Sequence, residues 1–108
     1  MTIAEFLQEL ANSKIKFTLT NLIRGKKGTK YQDLCPIEAL HLFKTGKALS
    51  WYNAALKLKI SSVDRSAILE AADNYGDAQK LRKKLLEACG LSKDKSSKYP
   101  LDKQKELS

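Results

Sequence analysis

The chain is predicted to be mainly α-helical with one small β-hairpin. Apolar residues recur at helical spacing over most of the sequence, and they alternate with polar residues only around residues 15–19. The length of 108 residues fits one domain. We expect a single compact domain over residues 1–91, with an N-terminal helix, a two-stranded hairpin and then a compact bundle of three to four helices.

The first helix is predicted to begin after Thr2. Thr2 and Glu5 have the spacing of a capping box, in which each side chain accepts a hydrogen bond from the backbone N–H of the other residue. One face of the helix is then apolar, with Ile3, Phe6, Leu7 and Leu10. The polar pair Asn12 and Ser13 ends this helix.

The hairpin is predicted over residues 15–34. Alternation over residues 15–19 is typical of a half-buried strand, which Leu22 and Ile23 extend past a bulge at Asn21. Residues 25–28, Gly-Lys-Lys-Gly, supply the turn, and residues 30–34 return as the partner strand. Because a two-stranded hairpin is only marginally stable alone, it must pack on the helices.

Four helices are predicted after the hairpin. The second helix begins at Pro36, whose missing N–H costs nothing in a first turn, and stops at Gly46. The third runs over residues 50–59, the fourth over 63–74 behind the cap Ser62, and the fifth over 77–89 with Asp77 as its cap. The residues expected to face the core are Ile37, Ala39, Leu40, Phe43, Trp51, Ala54, Ala55, Leu58, Ile68, Leu69, Ala72, Leu81, Leu85, Leu86 and Cys89.

The composition changes after Leu91. Residues 92–108 contain five Lys, three acidic residues, four Ser and only two Leu. Such a segment buries too little apolar surface to offset the entropy of ordering it. We therefore predict that residues 92–108 form a disordered basic tail.

The two cysteines, Cys35 and Cys89, are predicted to be reduced core residues of a cytoplasmic protein. The N-terminus lacks the basic and apolar regions of a signal peptide, and no apolar run reaches the roughly 18 residues of a membrane helix. No membrane partner is therefore expected. The cysteines and the single histidine, His41, do not have the spacing of a zinc site, and no cofactor is expected.

Positive charge is the feature that points to a partner. The net charge is +8, and residues 14–30 hold six basic residues and no acidic one. Such charge favours nucleic acid or an acidic protein face, or it simply keeps the surface soluble. The Lys-rich composition suits phosphates better than base edges. The predicted nucleic-acid contacts are Arg24, Lys26, Lys27, Lys30, Tyr31, Lys57 and Lys59.

Two helical patterns each allow a structural and a functional interpretation. Trp51 and Tyr52 have the chemistry of a base-stacking platform, but Trp51 shares helical spacing with Ala55 and is expected in the core. The last two helices resemble a helix-turn-helix, except that the polar Arg82 stands where an apolar anchor belongs. A plain antiparallel pair of helices is therefore favoured, with residues 82–84 as a solvated basic run.

Catalysis is poorly supported. His41 lies three residues after Glu38, so the two share a helix face on which a carboxylate could support a general base. No nucleophile is placed by the sequence to use that base. Residues 25–28 lack the Lys-Ser/Thr helix start of a phosphate-binding loop. We expect that the protein is not an enzyme.

Three short segments resemble a group of small uncharacterised bacteriophage proteins. They are Cys-Pro-Ile-Glu-Ala-Leu at 35–40, Ile-Leu-Glu-Ala-Ala-Asp at 68–73 and Leu-Arg-Lys-Lys-Leu-Leu-Glu-Ala-Cys-Gly-Leu at 81–91. The resemblance implies a phage or prophage origin and action inside the host cell, and it carries no activity over. We expect a small non-enzymatic binding module whose basic hairpin contacts nucleic acid phosphates. The alternative is a phage accessory protein that binds and modulates a host protein.

Overall fold

The computed structural model describes residues 1–19, 23–73 and 79–91. These ranges hold five helices and one two-stranded sheet, which confirms the predicted fold class. In chain order the elements are α1 (Ile3–Ser13), β1 (Phe17–Leu19), β2 (Ile23–Gly25), α2 (Pro36–Thr45), α3 (Trp51–Lys57), α4 (Ser62–Asp73) and α5 (Gln79–Ala88).

Side-chain caps place the starts of two helices close to their predicted positions. The capping box of α1 is confirmed: the Glu5 N–H donates to Thr2 Oγ1 over 3.1 Å, and the Thr2 N–H donates to Glu5 Oε1 over 2.8 Å. Helix α4 begins one residue earlier than predicted. Its cap is Ser61 rather than Ser62, since Ser61 Oγ accepts the hydrogen bond from the Asp64 N–H.

The hairpin lies earlier in the chain than predicted. Strands β1 and β2 are antiparallel, with Phe17 opposite Gly25 and Leu19 opposite Ile23, and residues 20–22 join them. The predicted return strand at 30–34 was wrong, because that segment contributes only an isolated parallel bridge between Gly25 and Gln32. Gly25 is the last residue of β2, so the Gly-Lys-Lys-Gly sequence begins inside the second strand instead of forming the turn between the strands.

The core is formed by α1, the inner side of the hairpin and the four later helices. Helices α4 and α5 pack together, α2 packs on α3 and β2, and α1 packs on both α2 and α5. Of the core residues predicted after the hairpin, Leu69 and Leu81 are half-buried and most others are buried. Phe43 and Trp51 are the exceptions, with 48% and 42% of their surfaces exposed.

Phe43 and Trp51 are exposed because both lie at helix ends beside the loop of residues 46–50. Most residues in the last turn of α2 and the first turn of α3 are exposed, Lys44 and Tyr52 among them. Helical periodicity predicts the direction in which a side chain points around the helix axis. It does not state whether the core extends that far along the axis, and this explains both errors.

Arg82 is a buried residue, contrary to the predicted solvated basic run, of which only Lys83 and Lys84 are exposed. Its surface is 5% exposed. The guanidinium Nη1 donates to the carbonyl oxygens of Ala71 over 2.7 Å and Ala72 over 3.0 Å. These carbonyls belong to the last turn of α4 within the described residues. Arg82 thus caps α4 from α5, which favours a packed helix pair over a helix-turn-helix.

Three predictions concern residues outside the described ranges, namely the bulge at Asn21, the cap Asp77 and the tail at 92–108. Within residues 1–19, 23–73 and 79–91, no helix has the length and apolar character needed to cross a membrane.

Candidate nucleic-acid interface

Three cations share the outward side of the hairpin. Thr18 pairs with Arg24, and the Lys26 N–H donates to the Lys16 carbonyl oxygen over 2.9 Å, which continues the same register by one pair. Strand side chains alternate between the two faces. Lys16, Thr18, Arg24 and Lys26 therefore face away from the buried side chain of Phe17. We call Lys16, Arg24 and Lys26 the cationic face.

The cationic face places like charges directly opposite each other. Lys16 and Lys26 are cross-strand neighbours, and both are exposed. Such a pair destabilises a hairpin, whereas opposite charges at the same position stabilise it. Lys14 lines the same shallow surface depression as Lys16 and Lys26, and Glu87 is the acidic residue beside them. The result is a local excess of positive charge on the outward side of a short hairpin.

The loop from β2 to α2, residues 26–35, is attached closely to β2. The Gly25 N–H donates to the Leu34 carbonyl oxygen over 3.0 Å, and the Asp33 N–H donates to the Gly25 carbonyl oxygen over 3.2 Å. A Cβ atom on Gly25 would lie 1.8 Å from the Tyr31 carbonyl oxygen, so this position requires glycine. The close approach anchors the second half of the loop against the hairpin.

The first half of the same loop carries exposed lysines on a hydrogen-bonded backbone. Thr29 Oγ1 donates to the Lys26 carbonyl oxygen over 2.7 Å, and the Gly28 N–H donates to Gln32 Oε1 over 2.9 Å. Lys27 projects from this turn and is exposed. The predicted contacts Lys26 and Lys27 therefore stand on an ordered support rather than on a free coil.

Tyr31 and Lys30 interact with each other. The Lys30 Nζ lies 5.4 Å from the centroid of the Tyr31 ring, within the range of a cation–π interaction. The Tyr31 side chain is half-buried and packs against the core. Tyr31 consequently offers less free ring surface for stacking than its place in an exposed loop implies.

Lys57 and Lys59 are both exposed, and Lys59 lies away from the cationic face. The Met1 ammonium group donates to the Lys59 carbonyl oxygen over 2.6 Å, which places Lys59 at the N-terminal end of α1. The hairpin follows the C-terminal end of α1, and an 11-residue helix is about 16 Å long. Arg24, Lys26 and the loop lysines lie on or next to the hairpin, whereas Lys59 lies at the other end of α1.

The exposed aromatic pair, Trp51 and Tyr52, is held by an arginine that the sequence analysis did not identify. The Arg65 guanidinium carbon lies 5.4 Å from the Trp51 ring centroid and 4.9 Å from that of Tyr52. The two rings meet edge to face, with centroids 5.9 Å apart. Arg65 belongs to α4, 13 residues after Tyr52, so the contact joins two different helices. No periodicity could have shown this contact.

The aromatic pair is connected to the hairpin by a cleft of about 260 Å³. Arg24 and Trp51 both line this cleft, and so do the acidic residues Glu38 and Asp73. One cation of the cationic face therefore shares a cavity wall with one ring of the aromatic pair.

The remaining reactive side chains have structural positions. His41 is buried, and its Nδ1 lies 2.9 Å from the Lys47 carbonyl oxygen, to which it donates. Glu38 accepts the Cys35 N–H at the start of α2 and so serves that helix terminus. No group of His, Cys, Asp and Glu residues within the described ranges could hold a metal ion.

Cys35 and Cys89 are buried free cysteines, as predicted for small core residues. Burial raises the pKa of each thiol from 9.0 to about 12. Both thiols are therefore protonated at neutral pH, and a protonated buried thiol is a poor nucleophile.

No family model, curated protein or solved structure matches this chain. The fold and the surface define it as a small, mainly α-helical domain that carries a cationic hairpin.

Proposed function

We propose that the protein is a small, non-enzymatic module that binds nucleic acid phosphates without sequence preference, inside the cell that hosts it. The binding surface consists of the cationic face and the loop lysines Lys27 and Lys30. The observation that supports this function best is the cross-strand pair of Lys16 and Lys26, which weakens the hairpin but concentrates positive charge. A polyanion relieves that repulsion when it binds.

The shape of the surface favours backbone contact over base reading. Each strand of the hairpin has three residues, and an exposed loop follows it. The major groove is read by an inserted helix or a longer two-stranded ribbon. Lysine acts as a flexible point charge, which suits phosphate oxygens better than the paired acceptors of a base edge.

The direct test is titration against duplex DNA, single-stranded DNA and RNA at about 50 mM salt. If the five cations of this surface (Lys16, Arg24, Lys26, Lys27 and Lys30) each neutralise one phosphate, log affinity against log salt has a slope of about −4 to −5 on duplex DNA. Absence of binding to all three at tens of micromolar protein would contradict the proposal.

A matched pair of variants locates the binding surface. Lys26→Glu with Lys27→Glu should abolish most binding, because it reverses charge within the proposed surface. Lys80→Glu with Lys83→Glu makes the same change in net charge at two exposed positions of α5. The control variant should lose much less affinity. Equal losses would mean that net charge alone, and not the hairpin, attracts the nucleic acid.

A second candidate function is that of a phage accessory protein that binds a host protein. A groove of about 640 Å³ between α1 and α5 favours it. Its walls are apolar at Ile3, Leu7 and Leu81, and Lys80 and Lys84 stand along its α5 side. An amphipathic helix with acidic residues on its flank has the complementary chemistry.

The groove is tested by two aspartate substitutions of exposed or half-buried apolar residues. Leu7→Asp lies within the groove, and Val63→Asp lies outside it at a side chain that is 75% exposed. A host protein captured by the wild type should be lost with Leu7→Asp and retained with Val63→Asp. A peptide of its acidic helix should then bind the purified domain. Equal capture by both variants would exclude the groove.

A further inference from the structure

The aromatic pair is unusual in its exposure. Trp51 and Tyr52 are 42% and 48% exposed, although large aromatic rings contribute most to stability when they are buried. They are adjacent residues in the first turn of α3. Together they present a contiguous aromatic surface of the kind that marks an interaction site.

Arg65 holds the pair in a defined geometry. Its guanidinium lies about 5 Å from both ring centroids, and the rings are nearly perpendicular, at 86°. The arginine restrains both side chains before any ligand binds, so that less rotamer entropy is lost on binding. It also adds a positive charge beside the rings, where a phosphate adjoining a stacked base would lie.

The occupant of this surface follows from its surroundings. Arg24 of the cationic face and Trp51 line one cleft, so a chain whose phosphates rest on the hairpin leads to the aromatic pair. Glu38 and Asp73 also line the cleft, and they disfavour a phosphate inside it. An uncharged base fits there, with its phosphates kept on Arg24 and Arg65.

We propose that Trp51 and Tyr52, ordered by Arg65, form a stacking site for unpaired bases, and that the preferred ligand is single-stranded nucleic acid. This inference rests on the proposed phosphate binding by the hairpin, and it specifies the substrate class. In a duplex the base faces are already stacked on one another. A single strand leaves them free to stack on aromatic side chains.

Trp51 is the only tryptophan of the chain, so intrinsic fluorescence reports directly on the site. Adding an oligothymidylate at low salt should quench this emission in a saturable manner, because a stacked base quenches the indole. A hairpin-free duplex of the same length should bind more weakly and leave the emission nearly unchanged.

Alanine substitutions measure the contribution of the rings. Tyr52→Ala should weaken oligothymidylate binding about 5- to 100-fold, which is the range for loss of one stacked base. Trp51→Ala, followed by anisotropy of a labelled oligonucleotide, should do the same, and Trp51→Phe should recover part of the affinity. The control is Phe43→Ala, which removes an aromatic ring with 48% exposure at the end of α2.

The outcomes separate this inference from the function on which it rests. If single strand and duplex bind equally and Trp51→Ala behaves like Phe43→Ala, the stacking site is wrong while phosphate binding stands. If no nucleic acid binds to the wild type, both the stacking site and the proposed phosphate binding are wrong. A thermal melt of each variant shows whether a loss of binding reflects unfolding, and a variant that binds weakly while melting like the wild type supports the site.

Discussion

The hairpin region and the α4–α5 pair use positive charge in opposite ways. In the α4–α5 pair, Arg82 is buried and its charge-assisted hydrogen bonds close the end of α4. In the hairpin, Lys16 and Lys26 face each other in solvent and weaken the element that carries them. The buried Arg82 therefore stabilises the fold, whereas the pairing of Lys16 with Lys26 does not, and we propose that this pair binds phosphates.

The largest expected effect comes from the structural cation. Arg82→Ala should lower the free energy of unfolding by about 3 kcal/mol, because two buried carbonyl groups lose a charged donor. Lys83→Ala, one residue further along the exposed side of α5, should change it by less than about 0.5 kcal/mol. Urea unfolding of both variants measures the difference. A small effect of Arg82→Ala would remove the contrast between the two regions.

A second substitution tests whether the hairpin loop is as rigid as its contacts indicate. Gly25→Ala should cost about 2 kcal/mol of stability, since the new Cβ would meet the Tyr31 carbonyl oxygen and force the loop away. Gly28→Ala meets nothing within 4 Å, so only the strain of its positive φ of 89° opposes it. We expect a cost of about 1 kcal/mol there. Thermal unfolding ranks the two variants, and the reverse ranking would show that the loop yields easily.

The third substitution, Lys16→Glu, is expected to raise the stability of the hairpin and to lower its affinity for DNA. Lys16→Glu places an acid opposite Lys26 and should stabilise the hairpin by about 0.5 kcal/mol. The same change should weaken DNA binding. The slope of log affinity against log salt should also become shallower, by the equivalent of about one or two phosphate contacts. Denaturant unfolding and a salt titration measure the two quantities on one sample. If the variant is less stable than the wild type and binds DNA equally well, the functional interpretation of the cationic face is wrong.

The smallest expected effect is a difference in local opening between the hairpin region and the α4–α5 pair, measured by thiol labelling. Cys35 ends the loop between β2 and α2, and Cys89 follows α5, and both are buried, so labelling of each thiol requires its own segment to open. A thiol reagent at pH 8 should label Cys35 faster in Cys89→Ser than it labels Cys89 in Cys35→Ser, because a hairpin edge opens more readily than a packed helix pair. Labelling of both at the rate of a free thiol would show that neither is protected by burial.

The raised thiol pKa values also fix a pH dependence. The unfolded thiols lose protons near their pKa of 9.0, whereas the folded thiols keep them until about pH 12. Above pH 9.0 the unfolded state binds fewer protons, so stability falls as the pH rises from 9.0 towards about 12. Below pH 9.0 the cysteines add no pH dependence.

Much of the fold could be predicted because its signals are local. The capping box of Thr2 and Glu5 and the apolar periodicity of the helices each depend on residues within four positions of one another. The hairpin register could not be predicted, since the glycine at position 25 is required by a contact with Tyr31 and not by a turn. Composition alone cannot distinguish these two uses of glycine.

For the candidate site, too, only the features that depend on local sequence could be predicted. The loop lysines are neighbours in sequence, and their exposure follows from their type. The contact of Arg65 with Trp51 and Tyr52 joins α4 to the first turn of α3. The separation of Lys59 from the hairpin depends on the length of α1. Both features depend on tertiary packing, which local sequence patterns do not predict.

The packing of α1 on α5 joins the first and last helices of the described chain. During synthesis, α1 leaves the ribosome while its partner is still about 70 residues away, which corresponds to several seconds of translation. The part of its apolar face that packs on α5 stays uncovered for that time, and closing so distant a contact slows the final step of folding. The nascent chain is therefore expected to need protection from aggregation until α5 has emerged.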